Sequence, residues 1–287
     1  MTDAVNLRRE SIDLEALLLC REYLYALFHK LFGGTPDEAM LALALSETTR
    51  DVVEEFSGED PSMRGLGRFL QDLGECVDQS VLLDQARDEY TRLFIGPGEL
   101  PCQPIESPYL THDAALFQEN TLAVRALYRE RGLELKRLMR VPDDHIATMC
   151  GFMAHEAGSA LTELRAGHTE ALAASLRDQE AFVRGHMLSW VDDFARCARR
   201  SKTAVLYPQM IEALAAFVRN DAVLLSESAF WAEEAIAANG EVVPGGLGAM
   251  PGSPETAVFA EVSEAITVLN RVCPFGIEDH ELVAAKA

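Results

Sequence analysis

The feature that most constrains this chain is an apolar rhythm of three to four residues that persists along nearly its whole length. It is clearest in VPDDHIATMCGFMAHEAGSALTELRAG, residues 141–167, where Ile146, Met149, Cys150, Met153, Ala157 and Leu161 fall on one helical face. Pro142 and Asp143 mark the start of that helix, with Asp143 as the expected cap and Asp144 favoured by the positive helix end. The same reasoning predicts helices over 10–32, from Thr35-Pro36-Asp37-Glu38 to about 55, and over 62–79, 81–94 and 111–131. Two more are expected over 169–200 with a break near Gly185, one over 203–220 running on to 238, and a short one over 256–270. No stretch of convincing length alternates with the period of a strand, and no internal repeat appears. The expected fold class is all-α.

The chain has 287 residues, 48% of them hydrophobic, which is enough for one large helical core. NGEVVPGGLGAMPGSPE, with five glycines and three prolines, reads as a flexible linker. The expected organisation is therefore a main helical domain over 1–238, a linker over 239–255 and a C-terminal helix and tail over 256–287. A net charge of −21 repels phosphate backbones and anionic lipid, which disfavours nucleic acid and membrane surfaces and favours a cationic partner. The six cysteines form no Cys-x-x-Cys pair and read as reduced thiols, so a cytoplasmic location is expected. NLRRESIDLEALLLC has arginines before an apolar run, but Glu10, Asp13 and Glu15 interrupt it. The segment is expected to be an amphipathic helix of the mature protein rather than a secretory leader.

Catalytic patterns are missing where they would be sought. No histidine has glutamate three residues before it, as a di-iron helical bundle requires. HEAGS at 155–159 lacks the second histidine of a zinc helix, and GGLGAMPG lacks the Lys-Ser/Thr of a phosphate loop. Nothing in these patterns positively suggests catalysis, and no cofactor or metal is expected.

DEYTRLFIGPGELPCQPIESPYL, residues 88–110, breaks the helical pattern. Pro97, Pro101 and Pro104 fix φ and lower unfolded-state entropy, so the segment can stay ordered without a ladder of hydrogen bonds. It can present Phe94, Ile95, Leu100 and Tyr109 as a preformed groove wall, or it can plug the core as a rigid helix connection. Sequence alone leaves both open. Asp144 and His145 are likewise either ordinary first-turn residues or an exposed carboxylate beside an imidazole.

The insert, through Glu89-Tyr90, Leu93-Phe94, Gly96-Pro97, Pro104, Glu106-Ser107 and Tyr109, resembles a signature of the TorD/DmsD/NarJ family of redox-enzyme maturation chaperones. VPDDHIATMCGFMAHEA is similar to the family's second signature, and FVRGHMLSWVDDFARCARR with the Tyr207 helix to its third. The three occur in family order, and the resemblance spans about residues 12–222. Thr148-Met149 departs from the family by lacking an acidic residue after the Asp-His pair. The resemblance implies a TorD-like, single-domain helical chaperone without catalytic activity. Its implied partners are the catalytic subunit of a molybdopterin-dependent oxidoreductase and that subunit's twin-arginine leader, held until the cofactor is inserted. A homodimer formed by helix exchange is compatible with it. The alternative implied is an assembly chaperone for a leaderless or membrane-docked molybdoenzyme; a helical nucleotide-binding protein or enzyme is the remaining reading. The expected peptide-binding residues are Asp144, His145, Phe94, Ile95, Pro97, Leu100 and Tyr109. A leader offers two arginines and an apolar stretch, so its receptor should be an apolar groove with an acidic mouth. The C-terminal tail, through Val272, Phe275 and Ile277, is expected to fold back into that groove.

Overall fold

The computed structural model describes residues 2–57, 61–76, 78–96, 100–111, 119–201, 205–238 and 254–285. The chain opens with α1 (Thr2–Gly33), α2 (Glu38–Ala44), α3 (Glu47–Glu55), α4 (Pro61–Cys76) and α5 (Gln79–Tyr90), the last continuing into a π-helical turn, Thr91–Ile95. After the insert come α6 (Ser107–Thr111), α7 (Glu119–Glu130), β1 (Leu133–Leu135), α8 (Ile146–Ala166) and α9 (Thr169–Phe182). A second π-helical turn (Val183–Met187) leads to α10 (Val191–Arg200) and α11 (Tyr207–Ala237). The chain continues through α12 (Pro254–Arg271) and a 3-10 turn (Ile277–Asp279) to β2 (Leu282–Ala284). The fold is all-α, with β1 and β2 as its single antiparallel pair among the described residues.

Helix α1 lies at the centre, packed mainly on α8 and also on α12 and α3, while α11 packs on α9, α10 and α4. Glycines allow the α1–α8 approach. A Cβ on Gly151 would lie 2.9 Å from the His29 ring, and one on Gly158 would lie 3.2 Å from the Glu22 carboxylate. The core is aromatic where α1 meets α11: Phe217 is 4.8 Å from Tyr25, 6.0 Å from Phe28 and 4.9 Å from Phe56. An ion pair is buried in it. The Arg21 guanidinium donates to both Asp221 carboxylate oxygens and, at 2.8 Å, to Gln179 Oε1; Tyr25 Oη donates to Asp221 at 2.7 Å. Arg21, from α1, is thereby tied to α9 and α11, and every hydrogen bond the pair needs comes from within the core.

Several boundaries differ from the sequence expectation for identifiable reasons. The expected helix to residue 55 is two helices, because Ser46 Oγ accepts from Thr49 N and starts a new one. The break near Gly185 is the π-helical turn, where one extra residue per turn is accommodated. The small sheet is invisible in the sequence because each strand is three residues long, too short to establish a period. Of the expected linker, residues 239–253 lie outside the described residues. Phe259, Val262, Ile266, Leu269 and Val272 join the same apolar cluster as α1.

Candidate functional site

The three segments that carry the family resemblance meet in space, and most of their polar residues hold one another. Glu89, fully buried, accepts from the backbone amides of Val205, Leu206 and Tyr207 at 2.9, 2.6 and 2.9 Å. Its carboxylate thus neutralises the positive N-terminus of α11. Tyr90 and Phe94 pack with Tyr207, with ring centroids at 5.5 Å in both cases, and Phe94 also lies edge-on to Phe32. Phe94 is partly buried and packs against the core. Ile95 is exposed, at 57%. Leu100 is half-buried and folds back toward Gly96. Pro97 lies outside the described residues.

The far end of the insert is zipped to the Asp144-His145 corner. Ile146 N donates to Pro104 O at 2.8 Å, Glu106 N to Asp144 O at 3.1 Å and Ser107 N to the Asp144 carboxylate at 2.9 Å. Ser107 Oγ and Thr121 Oγ1 donate to the same carboxylate at 2.5 and 3.0 Å. Asp144 is 0% exposed. The expected exposed carboxylate is therefore a buried one that fastens α6 and α7 to the head of α8. The capping assignment also changes. His145 is the N-cap of α8, its Nδ1 accepting from Ala147 N at 3.1 Å, whereas Asp143 accepts from Arg125 at 2.7 Å.

His145, 8% exposed, lies against His280 of the C-terminal segment with ring centroids 4.2 Å apart. Burial, together with the neighbouring His280 and His29, pushes the His145 pKa well below its ordinary value. Burial lowers His29 to about 4 and His280 to about 3. The corner therefore holds three neutral imidazoles.

Tyr109 stacks on Trp190 at 5.3 Å, and Trp190 Nε1 donates to His186 O at 2.7 Å. His186 Nδ1 is 3.2 Å from the buried Glu106 carboxylate. Burial raises the Glu106 pKa, with the His186 contact opposing. His186 also borders a cleft of about 300 Å³ between α7, α8 and α9. Leu127, Phe152, Ala181 and Phe182 supply its apolar surface, and Glu130, Glu156 and Asp178 its carboxylates. Arg131 bridges Glu156 at 2.9 Å and Asp178 at 2.5 Å across this cleft. The arrangement already holds a guanidinium between two carboxylates, beside apolar rings. Sequence reasoning did not single out Glu130, Glu156 or Asp178, because acids spaced along separate helices resemble any solvated face. Among the described residues no cluster of histidine, cysteine and acid side chains is arranged to hold a metal ion.

Sequence comparison finds similar proteins over much of the same stretch of chain. Residues 59–196 match the family model described as nitrate reductase delta subunit. The Chaperone protein TorD of Vibrio cholerae is 26% identical over 216 residues, covering 75% of this chain and 96% of its own. That of Photobacterium profundum is 26% identical over 200 residues, covering 65% and 90%. The Tat proofreading chaperone DmsD of Salmonella typhimurium is 38% identical over 60 residues, covering 21% and 29%. A crystal structure of an Archaeoglobus fulgidus protein proposed to mature redox enzymes is 23% identical, covers 72% of this chain and 93% of its own, and has a TM-score of 0.37.

Proposed function

We propose, from the premise that this chain belongs to the TorD/DmsD/NarJ family of redox-enzyme maturation chaperones, that it is a molybdoenzyme maturation chaperone that binds the twin-arginine leader of its client. The observation that carries the reading is the cleft between α7, α8 and α9. Its apolar rings suit an aliphatic leader side chain, and its carboxylates suit an arginine, which would compete with Arg131 for Glu156 and Asp178. The net charge of −21 adds long-range attraction for a basic peptide and speeds its encounter. Ile95, exposed, and Leu100, half-buried, are the apolar insert residues this reading assigns to a leader, whereas Asp144 is buried and holds Ser107. Gross burial of about four large apolar side chains, at roughly 1.5–3 kcal/mol each, less ordering costs, corresponds to micromolar binding.

Isothermal titration with a synthetic leader peptide tests the reading. Asp178→Asn with Glu130→Gln should weaken binding at least fivefold, with the loss shrinking as salt is raised. A leader that binds this double variant as tightly as the wild type removes the cleft from consideration. A leader that does not bind the wild-type chain at all favours assembly of a leaderless client, the reading that accords with the nitrate reductase description of the matching family.

A further inference from the structure

The C-terminal segment after α12 crosses the head of α8 as a strap. Thr35 N donates to Phe275 O at 2.9 Å, and Ile277 is buried against Gly33, where an added Cβ would sit 2.6 Å from Ile277 Cδ1. His280 covers His145 and lies 3.3 Å from Thr148 Oγ1. Beyond it, β2 pairs with β1 in the register Leu133–Ala284, Glu134–Val283 and Leu135–Leu282, and Ala285 N donates to Gly132 O at 2.7 Å.

The surface beneath the strap is basic in an otherwise strongly acidic protein. Lys136 pairs with Glu281 at 2.6 Å, and Arg137 with Glu278 at 3.2 Å and Asp279 at 3.1 Å. Lys30 adds a third cation from α1, partly desolvated and attracted by Glu281. The strap is anchored at Ile277, His280 and the β1 pairing and is exposed elsewhere. It buries Ile277 and His280, leaves Phe275 85% exposed, and makes ion pairs that are half in solvent and contribute little. It also forms only one wall of a longer cavity of about 770 Å³, which continues between α1 and α8 past His29, Lys30, His155 and Arg165.

We propose that the groove beneath this strap is a docking surface for an extended acidic segment of a partner protein, and that residues 274–284 are its built-in competitor. The fitting segment has one branched apolar residue for the Gly33 slot, two or three carboxylates for Lys30, Lys136 and Arg137, and a short strand to pair with β1. This is strand addition to an edge that otherwise has no second partner among the described residues. The site is separate from the acid-rimmed cleft and selects the opposite charge, so the proposal does not depend on leader recognition.

The probe is a fluorescent peptide of the strap itself, residues 274–285, added to the full-length chain. The tethered strap competes at high effective concentration in the wild type. A full-length Ile277→Ala/His280→Ala variant should therefore bind the peptide at least tenfold more tightly, and adding Lys136→Glu/Arg137→Glu should reverse that gain. Equal binding by the wild type and the loosened variant, or equal binding of a peptide carrying Glu278→Lys, Asp279→Lys and Glu281→Lys, overturns the proposal. Hydrogen exchange on the unmodified chain supplies an answer free of substitutions. Strap amides at 282–285 should exchange at least a hundredfold faster than those at 149–164, and equal protection would show a strap that does not leave its groove.

Discussion

Replacing Asp144 by alanine is expected to cost stability rather than a contact with a peptide, and the size of the loss follows from the geometry. The carboxylate accepts from Ser107 N, Ser107 Oγ and Thr121 Oγ1 with no solvent exposure. After truncation the two hydroxyls, 3.2 Å apart, can satisfy each other, while the Ser107 amide loses this acceptor. An unsatisfied buried amide costs about 1–3 kcal/mol, and loss of the charge-assisted bonds adds roughly 1–2. Relief of repulsion on Glu106, whose pKa Asp144 helps to raise, returns a part. The net expectation is a loss of about 3 kcal/mol, a large share of a typical 5–15 kcal/mol total. In urea, with a slope of about 3 kcal/mol per M, the midpoint should fall by about 1 M. Asp144→Asn keeps one acceptor for Ser107 N and should lose about half as much. An Asp144→Ala protein that unfolds within 0.5 kcal/mol of wild type, yet no longer binds a leader peptide, would refute the reasoning and return Asp144 to the contact role.

The Arg21–Asp221 pair should be far more sensitive to single than to double replacement. Asp221→Ala leaves a buried guanidinium and is expected to cost about 3–5 kcal/mol, while Arg21→Met with Asp221→Leu should recover most of it; denaturant melts of the three variants decide. Acid should loosen the chain below pH 6.5. His29, His145 and His280 are held neutral when folded but take up protons when unfolded, so stability is fully present above the ordinary histidine pKa and falls as pH drops toward about 4. His29 and His280 each lose about 2 kcal/mol by pH 5 on this reckoning. Glu22 and Glu106, raised by burial, oppose the trend. The melting temperature of His280→Phe should accordingly depend less steeply on pH between 6.5 and 5 than that of wild type, and parallel curves would count against the imidazole corner.

How much of this was legible in the sequence depended on whether a signal was local. The α8 stripe was readable because six apolar residues repeat within one helix, and helix type was correct almost throughout for the same reason. The role of Asp144 was not readable. Its donors are at Ser107 and Thr121, and only the fold brings them within 3 Å. A first-turn aspartate looks the same in sequence whether it faces solvent or a neighbouring loop. The proline insert was recognised as rigid, but its partners at 144–146 and 205–207 lie on separate helices, so wall and plug could not be told apart. Gly33-Gly34 lies where α1 ends, as a glycine pair after an apolar helix suggests. That it also seats Ile277 and Pro274 depends on a contact between the two ends of the chain.

The tie between Arg21, Gln179 and Asp221 has a consequence for the order of synthesis. Arg21 leaves the ribosome 200 residues ahead of its counter-charge, Asp221. Through most of translation α1 must therefore stay undocked or dock imperfectly, with Tyr23, Leu24 and Phe28 uncovered. The chain would itself be slow to close, and cellular helpers that bind greasy nascent helices should engage the apolar face of α1.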